Sequence, residues 1–262
     1  MMHKDLLPAT ISTARFKQAL IRYAPLIESI SLAKGAKSGQ KTLLELDKFR
    51  YGDALACFQS EKPERGMTRD DVKTLVDWKL RHGKFRPTLM KLVSSNEDET
   101  VRKTIQEAMT RYWSNPEDPA QALDIITKLK GIGPATASLL LSVHDPGRVI
   151  FFSDEAFYWL CRGGNVSPIK YNPKEYRELH TAAQALAKRL EVSATDIEKV
   201  AYVLMKDGST QVTSTGEGPS LAPEIEPSKE PSPKASTKRK VNAAAETSVQ
   251  VPPRRSKRGK AS

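Results

Sequence analysis

The chain has 262 residues and is basic, with 42 Lys and Arg against 31 Asp and Glu, a formal net charge of +11 and a pI near 9.6. Two cysteines, Cys57 and Cys161, are too few for a four-thiolate zinc or iron–sulfur site or for a secretory disulfide framework, so a reducing compartment is expected. No window approaches the roughly 18 apolar residues of a membrane span, the start Met1-Met2-His3-Lys4-Asp5 lacks the apolar run of a signal peptide, and the charge favours a polyanionic partner.

Residues 1–208 read as almost wholly helical, with no internal repeat. Phe16, Leu20, Tyr23, Ile27 and Ile30 follow one helical stripe, which Pro25 is expected to kink. Gly35 to Thr42 resembles a phosphate-binding P-loop, but Gln40 stands where the second glycine belongs and no strand precedes it, so it reads as a mobile loop. Thr68-x-x-Asp71 is a capping box in front of Val72, Leu75, Val76 and Leu80. That helix runs into a second basic block, Trp78 to Pro87. There Lys79, Arg81, Lys84 and Arg86 suit contacts to a nucleic-acid backbone, while Trp78, which lies off the stripe, and Phe85 read as buried. A charged helix is expected over about 98–112, and Asp118-Pro119 starts another carrying Ala122, Ile125, Ile126 and Leu129.

The segment at about 119–145 reads as helix, Gly-Ile-Gly turn, helix. Gly131 and Gly133 permit positive φ and let a phosphodiester approach without a Cβ in the way. Leu129 and Ile132 pack back to fix the turn, and Pro134 pre-sets the first turn of the second helix. The unpaired N–H groups and dipole of that helix start suit a phosphate. Thr136 and Ser138 are expected to donate hydroxyls, and Lys130 adds a cation at the rim. The expected DNA-binding set at the turn is therefore Lys130, Gly131, Ile132, Gly133, Thr136 and Ser138, through contacts that do not depend on base sequence and weaken steeply with salt.

After Leu139-Leu140-Leu141 comes a break at His144-Asp145-Pro146-Gly147. Val149-Ile150-Phe151-Phe152 then leads into Ser153-Asp154-Glu155 and an apolar helix in which Tyr158 and Trp159 read as core. Asn172-Pro173 caps a helix with Tyr176, Leu179, Ala183, Leu186 and Leu190, and Ser193-x-x-Asp196 opens the last one. The four histidines, His3, His82, His144 and His180, have no metal-ligand spacing, and none reads as a catalytic base. Beyond Gly208 come seven of the seventeen prolines and ten Lys and Arg against five Glu, with no aromatic residue. Residues 209–262 therefore read as a disordered basic tail. Lys238, Arg239 and Lys240, and Arg254, Arg255, Lys257 and Arg258, form two clusters of the kind used for nuclear import, and Ser232-Pro233-Lys234 fits proline-directed phosphorylation.

The hairpin, the apolar helix, the loop and an aspartate opening the next helix together resemble the helix-hairpin-helix DNA glycosylase superfamily over roughly 119–162. The Trp78–Pro87 and Ser-Asp-Glu blocks are similar to an uncharacterised eukaryotic branch of it. The resemblance implies an all-α fold over 1–208, and it implies Asp154 as the catalytic carboxylate, at a spacing slightly longer than the family's. A monovalent cation held by hairpin carbonyls is also implied. Bifunctional members carry a nucleophilic lysine where this chain has Ala135, and Lys130 lies on the wrong side of the turn to replace it, so lyase chemistry by that route is not expected. The family's iron–sulfur loop is absent. Asp154 keeps two readings, a carboxylate that stabilises an oxocarbenium-like sugar and a first-turn acid favoured by the helix dipole; Glu155 is a weaker candidate for the first role. Two functions accordingly stand open for a nuclear, DNA-binding chain: monofunctional base excision, and non-catalytic DNA or chromatin binding on the same scaffold. A structural helical protein whose glycine turn binds nothing is the third reading.

Overall fold

Among the described residues, side-chain caps mark where half of the twelve α-helices begin. The computed structural model describes residues 2–213, with side chains as far as residue 206. It contains α1 (Thr13–Ile21), α2 (Tyr23–Lys34), α3 (Leu43–Lys48), a π-helical turn (Phe49–Asp53), α4 (Ala54–Phe58), α5 (Arg69–His82), α6 (Leu89–Ser94), α7 (Asp98–Ser114), α8 (Ala120–Ile126), α9 (Pro134–Ser142), α10 (Asp154–Arg162), α11 (Pro173–Leu190) and α12 (Ala194–Thr213). Among the described residues there is no strand, and no helix is long and apolar enough to cross a membrane. Thr68 and Asp71 close the expected capping box on α5, and Thr42 with Glu45 closes a second one on α3. Ser153 and Asn172 cap α10 and α11 by accepting the backbone N–H groups of Ala156 and Glu175. Each cap satisfies a donor that the helix cannot pair internally.

Two expectations change. The stripe from Phe16 to Ile30 is two helices rather than one kinked helix: the break falls at Arg22, and Pro25 lies in the first turn of α2, where its missing N–H has no partner to lose. At the other end α12 runs to Thr213, past the boundary expected at 208. The rest of the tail, including both basic clusters and Ser232, lies outside the described residues.

One continuous apolar core joins these helices. From Ala135 to Ser142 every residue of α9 is buried, and Leu139, Leu140 and Leu141 are wholly enclosed. A helix that is buried on every side is the centre of the domain, and truncating one of these leucines to alanine costs about 2–5 kcal/mol. Trp78 is fully buried and donates its indole N–H to Asp47 Oδ1 at 2.9 Å. Tyr158 and Trp159 are core, as expected.

Val149 to Phe152 is buried throughout and belongs to no helix or strand. Buried backbone groups need partners, and here side chains supply them. Glu198 Oε1 accepts the Phe151 N–H at 2.6 Å and Ser138 Oγ accepts the Phe152 N–H at 2.9 Å, while Tyr176 donates its hydroxyl to the Ile150 carbonyl at 3.2 Å. Residues from α12, α9 and α11 thus hold the segment that delivers Ser153 and Asp154 to the surface.

Candidate nucleic-acid interface

The C-terminal end of α5, the hairpin turn, the start of α10 and Lys170-Tyr171 surround an open cleft of about 420 Å³. The turn forms one wall. Gly131 has φ +78°, and a Cβ there would stand 2.8 Å from Leu92 Cβ and 3.2 Å from the Val93 nitrogen, so both the backbone and the packing of α6 require glycine. Gly133 has φ −97° and open space where a Cβ would point. Only the first glycine therefore needs the positive φ expected of both. Asn96 clamps the turn from outside, accepting the Lys130 N–H at 2.9 Å and donating to the Lys130 carbonyl at 3.0 Å. The N–H groups of Gly131, Gly133 and Ala135 make no hydrogen bond among the described residues, and all three residues line the cleft.

The basic block forms the second wall. Lys84 and Arg86 are exposed, Lys79 is half-buried, and all three line the cleft. Lys79 Nζ donates to Thr136 Oγ1 at 2.8 Å, which ties α5 to the first turn of α9. Burial and then the neighbouring Arg86 charge lower the Lys79 pKa to about 8, against the opposing pull of Asp154. Lys170 and Lys206 add cations to the same cleft.

Asp154 is the first residue of α10, half-buried, and faces the cleft. Ser153 does the capping, so the Asp154 carboxylate is not needed for that task. Its Oδ1 accepts a short hydrogen bond from the Tyr171 hydroxyl, and Lys84 Nζ lies 2.9 Å from Oδ2. The carboxylate in turn raises the Lys84 pKa, and burial followed by Asp154 raises that of Tyr171. Tyr171 holds a left-handed φ of +53°, rare outside glycine, and packs on Phe152 with the Arg86 guanidinium over its ring. Glu155 pairs with Lys206 at 3.1 Å.

Several expected residues lie elsewhere. Ser138 is fully buried and shares its hydroxyl between the Ala135 carbonyl and the Phe152 N–H, so it cannot reach a phosphate. Ile132 is core, fixing the turn rather than touching a ligand. Arg81 does not line the cleft and is held by Asp77 at 3.1 Å and Gln40 at 2.8 Å. Lys130 is exposed on the outer side of the turn, outside the cleft lining. Phe85, read as buried, is 73% exposed. Sequence reasoning missed Lys170, Lys206 and above all Tyr171, whose only local sign is its place just ahead of the Asn172-Pro173 cap.

At the hairpin the Lys130 carbonyl accepts from Asn96 and the Leu129 carbonyl from the Ile132 N–H, each keeping a second lone pair for a cation; no step below is routed through one. Among the described residues no three His, Cys, Asp or Glu side chains gather as a metal site. His82 lies at the cleft's inner edge, stacked on Trp78, and burial lowers its pKa well below the usual imidazole range, which keeps it neutral. No protein-family model, curated protein or solved structure matches this chain.

Proposed function

We propose that this chain grips duplex DNA through the hairpin, on a helix-hairpin-helix glycosylase scaffold, and releases a damaged base with Asp154 as the catalytic carboxylate. The observation that carries the reading is the placement of Asp154 in a cationic cleft opposite the unpaired N–H groups of Gly131, Gly133 and Ala135. Those groups and the α9 dipole suit one phosphate, and Lys84 and Arg86 suit its neighbours. The base leaves the stack and enters the cleft. As the C1′–N bond breaks, its electron pair departs with the base. The Asp154 carboxylate then faces the positive charge developing on C1′ and O4′, and accepts a proton from the water that adds at C1′. The exposed Lys84 exchanges its bond to Asp154 for one to a phosphate when DNA arrives.

The test is a panel of duplexes, each with one damaged base, incubated with wild type and Asp154→Asn. The expected result is release from at least one duplex, slowed at least about 100-fold in the variant with DNA affinity retained. No release from any duplex, with binding intact, overturns base excision and leaves the non-catalytic DNA- or chromatin-binding module. That second reading draws on the Lys84 and Tyr171 contacts, which already engage both Asp154 oxygens. Affinity that ignores salt concentration would overturn the backbone grip itself. Nuclear import is proposed to rest on Lys238–Lys240 and Arg254–Arg258; a chain lacking 209–262 that still enters the nucleus would refute it.

A further inference from the structure

His82, His144 and His180 are all buried, and they differ in what their rings can reach. Both nitrogens of His144 and the Nδ1 of His180 are sealed within the fold. His82, the last residue of α5, lines the cleft. Its Nε2 lies 3.3 Å from the Tyr23 hydroxyl, whereas its Nδ1 makes no hydrogen bond among the described residues and is not sealed with the others. Aromatic rings hold it in place. Trp78 is stacked on it with ring centres 4.5 Å apart, the Tyr202 ring centre lies 3.9 Å away, and the Tyr202 hydroxyl donates to the His82 carbonyl at 3.3 Å.

The acceptors around this ring decide where its proton sits. Asp47 Oδ1 accepts the Trp78 indole N–H at 2.9 Å and the Tyr23 hydroxyl at 2.8 Å. With its one proton committed to Asp47, the Tyr23 oxygen can only accept from His82. Nε2 therefore carries the ring proton and Nδ1 the lone pair. Burial, together with the charges of Lys206, Lys34 and Arg50, keeps the ring from taking a second proton. We propose that His82 selects the base: its Nδ1 accepts an N–H from the exocyclic amine of a base held in the cleft, and it rejects a base with a carbonyl oxygen in that place. Tyr23 and Asp47 are positioning residues, because they fix the tautomer without lining the cleft.

That the ligand is a base of DNA rests on the function proposed above; that it bears an amine rests on the acceptors here. An exocyclic amine has two N–H donors. Lys206 lies 5.0 Å over the Tyr202 ring and is bound to Glu155 at 3.1 Å, so a second acceptor, the Glu155 carboxylate, belongs to the same cleft lining near His82. Phe151 and Phe152 line the cleft too, and offer apolar contact to the faces of a base. A carbonyl oxygen facing Nδ1 would set two lone pairs against each other and leave a desolvated acceptor unpaired. A site built around a hydrogen bond rejects the analogue that lacks it far more strongly than an apolar pocket can. The substrate class is thus a base that keeps its amine rather than its deaminated counterpart.

The experiment is nuclear magnetic resonance on the full chain with isotope-labelled histidine ring nitrogens, titrated with four small bases. In 1-methylcytosine and 9-methyladenine the amine is the only N–H group; 1,3-dimethyluracil and 1,9-dimethylhypoxanthine carry a carbonyl in its place and have no N–H. The His82 signals are assigned by their loss in His82→Phe, and melting temperatures are measured alongside. The expected result is a protonated Nε2 and a bare Nδ1 in the protein alone. Both amino bases should then shift the Nδ1 signal and bind at least about tenfold more tightly than their carbonyl counterparts. Tyr23→Phe keeps the ring but frees the tautomer, and should lower that preference at least about threefold; His82→Phe should abolish it. The readout is a ratio within one protein, so a general loss of packing that weakens all four probes does not imitate it. A proton on Nδ1 in the protein alone, equal affinity for the two kinds of probe, an Nδ1 signal that no probe moves, or an undiminished preference in either folded variant overturns the proposal. The probes carry no sugar or phosphate and need no excision, so the two readings fail separately. An amine preference in a chain that releases no base from any duplex removes base excision alone, and base release without an amine preference removes this proposal alone.

Discussion

Arg50–Glu198 and Lys84–Asp154 are both ion pairs, placed in opposite surroundings. Arg50 has no exposed side-chain surface and Glu198 almost none, and their closest atoms are 3.4 Å apart. Arg50 also donates to Ser142 Oγ at 2.6 Å and lies over the faces of Tyr51 and Trp78, while Glu198 receives the Tyr51 hydroxyl at 3.2 Å and the Phe151 N–H. Burial raises the Glu198 pKa, against the pull of Arg50 and those donors. The open pair is shorter, at 2.9 Å, yet Lys84 is mostly in water. The enclosed cluster joins the π-helical turn, α9 and α12 to the segment at 149–152, and that segment aims Asp154. Charge sealed inside the fold sets the geometry; charge at the cleft remains free to change partners.

The largest expected effect breaks the sealed side. Arg50→Ala strands the Glu198 carboxylate in the core and should cost about 3–5 kcal/mol, measured by urea or thermal unfolding. The proposed base release should fall with it, because Glu198, which anchors the Phe151 N–H, loses the cation that fixes its carboxylate. An Arg50→Ala protein as stable as wild type would remove the distinction between the two pairs.

The hairpin turn repeats the contrast within three residues. Gly131→Ala places a Cβ against Leu92 and Val93. The left-handed backbone alone costs about 1–2 kcal/mol, and overpacking adds typically 1–3 kcal/mol. Gly133→Ala meets nothing, so its unfolding midpoint should stay close to wild type while DNA affinity drops at low salt, because the methyl group lies where the phosphate would approach. Equal destabilisation by the two variants would show that Gly133 is also architectural.

What the sequence discloses follows the range of the interactions involved. The caps at Thr68, Asn172 and Ser193, the Gly-Ile-Gly turn and the aspartate after the apolar helix are patterns of a few residues, and each appears where it was expected, whereas α8 starts one residue later than Asp118-Pro119 predicts, with Pro119 as its N-cap. The partners that define the cleft come from far away in the chain: Tyr171 reaches Asp154 across 17 residues, Lys79 reaches Thr136 across 57, and Arg50 reaches Glu198 across 148. No local periodicity encodes such meetings. Ser138 shows the complementary failure. Its hydroxyl is the right chemistry two residues beyond Thr136, but a rotation of about 200° around the helix turns it into the core. The fold likewise brings Lys79 from α5 to Thr136, next to Ala135, a meeting that position 135 by itself does not disclose.

The smallest stability effect falls on the open pair, and it is the most discriminating. Lys84→Ala removes a mostly exposed partner, so unfolding free energy should change by under about 0.5 kcal/mol. In the proposed DNA grip, Lys84 and Arg86 are nonetheless the cations that replace counterions, and each phosphate contact contributes about 0.9 to the slope of log affinity against log salt. Lys84→Ala should therefore lower that slope by about 1 and weaken binding similarly on all duplex sequences, as read by fluorescence anisotropy between low and moderate salt. A variant that loses stability but keeps its salt slope would reverse the assignment. The Lys84–Asp154 bond would then be structural, and Asp154 would belong with the sealed charges rather than with the reacting ones.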